Sequence, residues 1–318
     1  MGGAVRRRGP VFTRARHGSV HPLVSWEPLI DSFRAGRGMR PVGAFSDVDD
    51  STRSPGGWNM EPSAAHPDHG IIDFEGLPNT RDLGGMPAAD DRRIKPRCLL
   101  RSGLLAPATA ADLARLRDEY RLGLDIDLRT DVECSERPDP IDELPGVRFV
   151  HLPVFQEYGS GVSRSDEDMD RVRAQMRRGE VEPAQLMITL YPYLVIDDLG
   201  VAAYRSFFQE ILKLEEGAVL WHCTAGKDRC GMASVLMEVA LGVPWEVVKA
   251  DYMATNRFYG IDLATCDPMD YLNGVDPRYL AAAVDAIEGA YGSVEEYLSH
   301  ALDVDRAARD ELRARYLV

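Results

Sequence analysis

The sequence predicts an α/β protein with a mainly parallel sheet flanked by helices, a helical lid-like insertion and a helical C-terminal third. Three observations indicate this class. Between residues 98 and 241, short apolar or alternating segments take turns with helical segments, as parallel strands and their crossovers do. From residue 242 onward the apolar spacing is helical. The chain has 318 residues, 45% of them hydrophobic, which is enough for one large core.

The chain divides into an N-terminal extension and one folded domain. Residues 1–65 are rich in Gly, Pro, Ser and Arg and have no sustained helical or strand period, so we predict that they are disordered. The domain then spans residues 66–318. Within it, residues 156–200 are long for a plain connection and are partly apolar and helix-prone, which predicts helices that cover a neighbouring surface.

The elements of the first half follow in order. Residues 98–101 read as a short strand. Residues 107–119 predict a helix, because Thr109 can cap its N-terminus and Asp112 stands three residues later. Residues 122–128 alternate apolar and acidic side chains and residues 147–152 are mostly apolar, so both are predicted strands.

The second half begins with a helix over residues 202–214, whose large apolar side chains recur at helical spacing, followed by a short buried strand over residues 217–221. A helix over residues 229–241 ends at Gly242, and Pro244 starts the next one. Further helices are predicted in the C-terminal third, over residues 279–290, 294–302 and 306–316.

Composition argues against several classes of protein. The net charge of −14 disfavours a general nucleic-acid binder. No uninterrupted apolar stretch of about 18 residues is present, and no secretory signal follows the N-terminal arginines, so we expect a cytoplasmic protein without stable membrane insertion. The five cysteines are irregularly spaced and no Cys/His set has zinc spacing, so we expect a reduced protein with no metal and no cofactor. The sequence leaves the oligomeric state open.

One loop carries the chemistry. Residues 221–232, WHCTAGKDRCGM, join a predicted strand to a predicted helix. Backbone N–H groups of such a loop, together with the helix N-terminus, bind a dianion such as phosphate. Gly226 supplies the freedom that the turn needs. A Walker loop is excluded because Asp228 follows Lys227, and a dinucleotide-binding GxGxxG is absent.

Cys223 lies at the floor of this predicted cradle. Helix N-termini and nearby cations lower the pKa of cysteines from about 8.5 to roughly 3.5–7.5. We therefore predict a thiolate nucleophile at this position. Arg229, six residues later, can reach back and match two phosphate oxygens with its planar guanidinium.

The segment His222-Cys223-Thr224-Ala225-Gly226-Lys227-Asp228-Arg229 resembles the H-C-x-x-G-x-x-R signature of the cysteine-based tyrosine and dual-specificity phosphatases. More narrowly, it is similar to the bacterial branch with the loop H-C-x-A-G-K-D-R. Weaker similarities follow in the expected order over residues 71–317: Asn79-Thr80-Arg81-Asp82, Arg101-Ser102-Gly103-Leu104, Asp127-Leu128-Arg129, Asp251-Tyr252 and the segment 291–298.

The resemblance implies that Cys223 attacks phosphorus to form a phosphocysteine, which water then hydrolyses, without a metal. Phosphate would be held by Arg229 and by the backbone amides of the loop, namely those of Thr224, Ala225, Gly226, Lys227, Asp228 and Arg229. The implied substrates are phosphotyrosine proteins, with phosphoserine, phosphothreonine and phosphoinositides as further candidates, because a lysine in this position accompanies lipid phosphates in related enzymes. Residues 156–200 would correspond to the helical lid of the bacterial branch, or they would form plain packing helices.

Two assignments stay open. The general acid could be Asp228, inside the loop, or Asp127, at the end of a strand where parallel sheets carry active groups; Asp197 and Asp198 are further candidates. Cys230 stands where the family usually has Ser or Thr, whose hydroxyl helps the thiolate leave. It would slow hydrolysis, pair with Cys223 on oxidation, or serve as a small core residue.

Two other functions remain as alternatives. An inactive phosphate-binding module would keep the cradle without turnover, but the presence of both Cys223 and Arg229 argues against it. A sulfurtransferase also uses a loop cysteine, although the Lys227-Asp228 pair is less expected there.

Overall fold

The computed structural model describes residues 67–155, 174, 178–179, 182–268 and 270–318. The predicted disorder of residues 1–65 lies outside the described residues, as does most of the first half of the insertion over 156–200. The division into an extension and a domain therefore stays a prediction. The described strands and helices confirm the predicted α/β class.

A five-stranded sheet forms the centre of the described structure. Its strands are β1 (Arg81–Asp82), β2 (Leu99–Ser102), β3 (Leu122–Asp127), β4 (Arg148–His151) and β5 (Ala218–His222), in the spatial order β1-β2-β5-β3-β4. The pairs β2–β5, β5–β3 and β3–β4 are parallel, and only the short edge strand β1 is antiparallel to its neighbour. Ser102 and Asp127 both pair with His222, so three strands end together at the sheet edge where parallel sheets bind ligands.

The helices of the described residues lie on both faces of this sheet. They are α1 (Ala110–Ala114), α2 (Asp131–Glu136), α3 (Pro183–Ile196), α4 (Asp198–Lys213), α5 (Asp228–Leu241), α6 (Trp245–Tyr259), α7 (Asp270–Asn273), α8 (Pro277–Tyr291), α9 (Val294–His300) and α10 (Arg306–Tyr316).

Local sequence signals explain where several helices begin and end. Thr109 and Asp112 form the predicted capping box, but α1 ends early and Arg115–Glu119 continue as a wider π-type turn. Helix α5 ends at Gly242, which adopts a left-handed φ of 77°, so the predicted C-terminus is confirmed. The hydroxyl of Thr130 caps α2 in a second capping box with Glu133.

The period-2 alternation of β5 divides the apolar core into two clusters. Val219 and Trp221 face the larger cluster, which is built mainly from α3, α4, α5 and α8. Ala218 and Leu220 face the smaller cluster around α1. Because α5 is buried along nearly its whole length, its first turn is held rigidly at the end of the central strand.

No single described helix is long and apolar enough to cross a bilayer, and only α3 and α4 taken together, with a 59° bend between them, reach the required length and composition.

Candidate active site

The cysteine loop, residues 223–227, connects β5 to α5 at the shared end of three strands. Cys223 lies at its start with a side chain that is only 2% exposed. Gly226 has a φ of 65°, and a Cβ at this position would lie 2.7 Å from the backbone of Ser102 and Gly103. Only glycine fits here without displacing the end of β2.

The carbonyl groups of the cysteine loop are fixed by side chains from outside it. Ala225 O accepts hydrogen bonds from Asn79 Nδ2 at 3.2 Å and from the Tyr259 hydroxyl at 2.7 Å. Gly226 O accepts from Asn79 Nδ2 at 3.0 Å and from Arg101 Nη2 at 2.9 Å. Since the carbonyl and N–H of a peptide unit point to opposite sides, these bonds turn the N–H groups of the same peptide units toward the other side of the loop.

Three amides of the loop are available as donors, and one of them, that of Gly226, belongs to a peptide unit whose carbonyl is held in this way. Among the described residues, no hydrogen-bond acceptor is found for the backbone N–H groups of Thr224, Ala225 and Gly226. Unsatisfied N–H groups beside a helix N-terminus form an anion-binding concavity. Donors of this kind are what the predicted phosphate cradle requires.

A buried ionic cluster supports the loop from below. Asp251 of α6 accepts from Arg101 Nη1 at 2.6 Å and from Arg81 Nε at 3.2 Å, and Arg81 Nη1 also donates to Asn79 Oδ1 at 2.5 Å. Burial raises the pKa of Asp251, but the two guanidinium groups outweigh it and bring the value to about 2. The cluster thus fixes both side chains, Asn79 and Arg101, that hold the Gly226 carbonyl.

Arg229 reaches back across the loop as predicted, and its orientation is set by Glu133 of α2. Nη1 and Nη2 donate to the two Glu133 carboxylate oxygens at 2.5 and 3.0 Å, and the Thr224 hydroxyl donates to the same carboxylate at 2.5 Å. The guanidinium carbon also lies 4.9 Å from the centre of the Phe155 ring. An end-on carboxylate pair leaves the Nε–H side of the guanidinium for a second anion.

Lys227 and Asp228 form a buried pair at the start of α5. Lys227 Nζ donates to Asp228 Oδ1 at 2.9 Å and to Gly274 O at 3.2 Å. The Tyr191 hydroxyl of α3 donates to the same Oδ1 at 2.8 Å, and the Tyr252 hydroxyl of α6 donates to Tyr191 at 2.8 Å. The Lys227 side chain is only 7% exposed, so its ammonium is committed to the protein.

His222 is buried and surrounded by three carboxylates behind the loop. Its Nε2 lies 3.1 Å from Asp139 Oδ2, 3.6 Å from Asp125 Oδ1 and 3.9 Å from Asp127 Oδ1. Burial lowers the pKa of His222, but the surrounding carboxylates outweigh it and raise the value to about 9. Burial raises the pKa of Asp125 to about 7. The imidazole is therefore held as a cation directly before Cys223 in the chain.

Asp127, the second candidate for the general acid, is bound by Arg129. Its carboxylate is buried and accepts from Arg129 Nε at 2.9 and 3.0 Å and from Arg129 Nη2 at 2.7 Å. Burial raises the pKa of Asp127, but His222 and Arg129 together bring it far below the ordinary value. The carboxylate of Asp127 is thus engaged in an ion pair with Arg129, and its role as a general acid stays a prediction. Asp197 caps α4 through Leu199 N at 3.1 Å, and Asp198 begins that helix.

Comparisons with known proteins agree with this geometry. A family model described as the tyrosine phosphatase family matches residues 72–318. The chain belongs to the tyrosine phosphatase family.

Named relatives support the same assignment. A Cupriavidus necator protein that carries the name "putative tyrosine-protein phosphatase" is 37% identical over 262 residues, which cover 77% of this chain and 87% of the relative. A tyrosine-protein phosphatase of Nostoc commune is 28% identical over 81% of this chain and 85% of its own length. The triple specificity protein phosphatase PtpB of Mycobacterium tuberculosis is 29% identical over 73% of this chain and 94% of its own length. The prediction of a bacterial-type cysteine phosphatase is confirmed.

Cys230 is buried in this phosphatase and faces away from solvent. Its Sγ lies 3.6 Å from Trp221 O, and burial raises its pKa to about 12. A thiol that donates to a strand carbonyl packs as a small core residue. This geometry supports the core interpretation and is compatible with slow hydrolysis, because a thiol held in this way offers no hydroxyl to the departing sulfur.

Two groups of side chains have donor atoms close enough for a metal ion, with all atoms of a group within 4.8 Å of one another. They are Asp127, Cys134 and His151, and Asp125, Asp139 and His222. Arg129 binds the carboxylates of both Asp127 and Asp139. The carboxylates of both groups are therefore already paired with a cation, the Arg129 guanidinium, and the second group also contains the His222 imidazole.

Sequence reasoning missed Glu133, Tyr191 and the ionic cluster around Asp251. The signal for Glu133 was readable, because Thr130 and Glu133 have the spacing of a capping box. The partners of Tyr191 and Asp251 lie 37 to 170 residues away in the chain, and local spacing carries no information about them.

Proposed function

We propose that this phosphatase hydrolyses phosphotyrosine in proteins through a phosphocysteine on Cys223. The observation that carries the proposal is the cysteine loop itself. A buried sulfur and three amides without an acceptor in the described structure belong to one loop, and the oriented guanidinium of Arg229 contacts Thr224 of that loop at 3.5 Å. This arrangement suits a tetrahedral dianion bound over a nucleophile.

In the first step the Cys223 sulfur attacks phosphorus, the S–P bond forms and the P–O bond to the leaving phenol breaks. The electron pair of that bond goes to the leaving oxygen, which takes a proton from the enzyme. Charge on the transferring phosphoryl group spreads over three oxygens, and the loop amides and the Nε side of Arg229 stabilise it there. The two hydrogen bonds to Glu133 fix the plane of the Arg229 guanidinium and limit its rotation.

In the second step water attacks phosphorus, the S–P bond breaks and its electron pair returns to Cys223 as the thiolate. The water gives up a proton to the base that acted as acid in the first step. Cys230 offers no hydroxyl to the departing sulfur, and its S–H points to the Trp221 carbonyl. We therefore expect the second step to be slow relative to the first.

Asp228 is the proton donor that the geometry favours. It begins α5 beside the loop, and its side chain is 12% exposed, whereas Asp127 is enclosed by Arg129. Its Oδ1 is fixed by two donors. A carboxyl group fixed at one oxygen can present the other to a leaving group.

Substrate class follows from the commitment of Lys227. The lysine of the resembling enzymes accompanies lipid phosphates, but here the ammonium binds Asp228 and Gly274 and is almost fully buried. A second phosphate of an inositol lipid would find no cation there. The buried lysine therefore favours protein phosphomonoesters over phosphoinositides. The name of the mycobacterial relative supports testing phosphoserine and phosphothreonine as well.

A substrate panel tests the proposal. Purified protein is assayed for phosphate release from phosphotyrosine, phosphoserine and phosphothreonine peptides and from vesicles that contain phosphoinositides, with Cys223→Ser as the control. We expect the highest kcat/KM on phosphotyrosine and no turnover by the Ser variant. Phosphopeptide binding without turnover would instead support a phosphate-binding module, and sulfur transfer from thiosulfate would support a sulfurtransferase.

A further inference from the structure

Two buried tyrosines, Tyr191 of α3 and Tyr252 of α6, form a series of hydrogen bonds that ends on the proposed proton donor, Asp228. The Tyr252 hydroxyl donates to the Tyr191 hydroxyl, and Tyr191 donates to Asp228 Oδ1, both at 2.8 Å. Tyr191 and Tyr252 are 0% and 1% exposed, so water does not compete for these bonds. Their rings are packed edge to face with 6.4 Å between centres, which fixes the two hydroxyl groups relative to each other.

The chain of hydroxyls has a defined direction. Tyr252 and Tyr191 have one O–H each, and each is given to the next acceptor, so the series ends on the carboxyl group. Lys227, which has only N–H donors, gives a second hydrogen bond to the same oxygen. Oδ1 of Asp228 is thus occupied as an acceptor. No described residue forms a hydrogen bond to Oδ2.

We propose that Tyr191 and Tyr252 are positioning residues that confine the exchangeable proton of Asp228 to Oδ2. Because Oδ1 accepts two hydrogen bonds, a proton on this carboxyl group resides on the other oxygen. The carboxyl plane is fixed at the same time, since Tyr191 comes from α3 and Lys227 is also tied to Gly274. The proposal rests on the proposed function, and specifically on Asp228 as the proton donor.

The proton balance of the step is simple. As the P–O bond to the leaving group breaks, the Oδ2–H bond of Asp228 breaks and an O–H bond forms on the leaving oxygen. When water attacks the phosphocysteine, one water O–H bond breaks and Oδ2–H forms again. Tyr191 and Tyr252 keep their own protons throughout, so they act through Asp228 and do not touch the substrate.

Leaving groups of different basicity separate this role from a structural one. A nitro-substituted phenolate leaves without a proton, whereas an unsubstituted phenolate needs general acid catalysis, which is worth about 10²–10⁴ in rate. The experiment compares kcat/KM of Tyr191→Phe and Tyr252→Phe on phenyl phosphate and on dinitrophenyl phosphate. Asp228→Asn is the reference for complete loss of the donor.

The matched control is Tyr297→Phe. The Tyr297 hydroxyl is also buried and also bonds α3, through Val195 O, but it does not belong to the series that ends on Asp228. Tyr252→Phe and Tyr297→Phe each remove one buried hydrogen bond to α3, and we expect similar decreases in melting temperature, whereas Tyr191→Phe removes two bonds and should lower it further. Unlike the Tyr191 and Tyr252 variants, Tyr297→Phe should leave the dependence on the leaving group unchanged.

We expect Tyr191→Phe to lose at least about tenfold on phenyl phosphate and less than about threefold on dinitrophenyl phosphate, with a smaller effect in the same direction for Tyr252→Phe. Equal losses on both substrates, or none, would overturn the positioning role. If Asp228→Asn itself shows no selective loss, the donor assignment fails and the positioning role fails with it. Turnover by Cys223→Ser would instead refute the phosphocysteine mechanism, so the three failures can be told apart.

Discussion

Replacing Arg229 by lysine removes the planar fork while keeping a positive charge. In the native protein the guanidinium uses Nη1 and Nη2 on Glu133 and retains the Nε side for phosphate. A lysine ammonium is a compact point charge with three donors on one atom. It can satisfy Glu133 or the phosphate, but its geometry cannot match both at once.

The magnitude follows from the bonds that are lost. Each hydrogen bond to a charged group contributes about 1.5–3 kcal/mol, and two such bonds to the transferring phosphoryl group disappear. Arg229 is 2% exposed, so little water can replace them. We expect a loss of about 3–5 kcal/mol of transition-state stabilisation, which corresponds to roughly 10²–10⁴ in kcat/KM.

The assay is steady-state hydrolysis of p-nitrophenyl phosphate with melting temperature as the check on folding. Arg205→Lys is a matched control, because the Arg205 guanidinium is also paired with a carboxylate, Asp303 at 3.2 Å, and donates to Ala301 O at 2.8 Å, but both partners lie outside the cysteine loop. A value of kcat/KM for Arg229→Lys within about fivefold of the native protein, which is only about 1 kcal/mol, would refute the reasoning.

Three further changes test other parts of the site. Gly226→Ala forces a β-carbon to 2.7 Å from Ser102 and Gly103 at a φ of 65°, so it should reduce kcat/KM at least about tenfold. Gly289→Ala is the control, because its β-carbon meets nothing within 4 Å and kcat/KM should not change. Equal values of kcat/KM for the two variants would contradict this prediction. Cys230→Thr should speed turnover and shrink the pre-steady-state burst, and an unchanged burst would show that the second step is not limiting. The free energy of unfolding in urea should fall by on the order of 2–3 kcal/mol between pH 6.5 and 9. The reason is that folding raises the pKa of His222 to about 9, so the stabilisation by its charge is complete only below the pKa of the unfolded chain and is lost as the pH rises to 9. A free energy that does not change with pH would show that no histidine cation lies behind the loop.

Features encoded by neighbouring residues could be predicted from the sequence. The cysteine loop, the N-terminal cap by Thr109 and the helix end at Gly242 each depend on residues within one turn of each other. The alternation of apolar side chains in β5 likewise places its two faces against two cores. These signals determine the α/β class and the position of Cys223 at the end of a central strand.

Features that depend on distant residues could not be predicted. Glu133 and Arg229 are 96 positions apart, and Arg81 and Asp251 are 170 apart, so no spacing rule links them. Asp127 is a different case. Its partner Arg129 is only two residues later in the chain, but spacing alone does not show that the guanidinium turns back and binds the carboxylate. The commitment of Lys227 to Gly274 likewise depends on a turn 47 residues downstream.

The central claim, a phosphoryl group carried by Cys223, can be tested by trapping. Hydrolysis of a phosphotyrosine peptide is quenched in acid within the burst, and the protein is digested and examined by mass spectrometry. The account predicts one added phosphoryl group on the peptide that contains Cys223 and none in Cys223→Ser. Active enzyme that turns over substrate while the same peptide never gains that mass would contradict it.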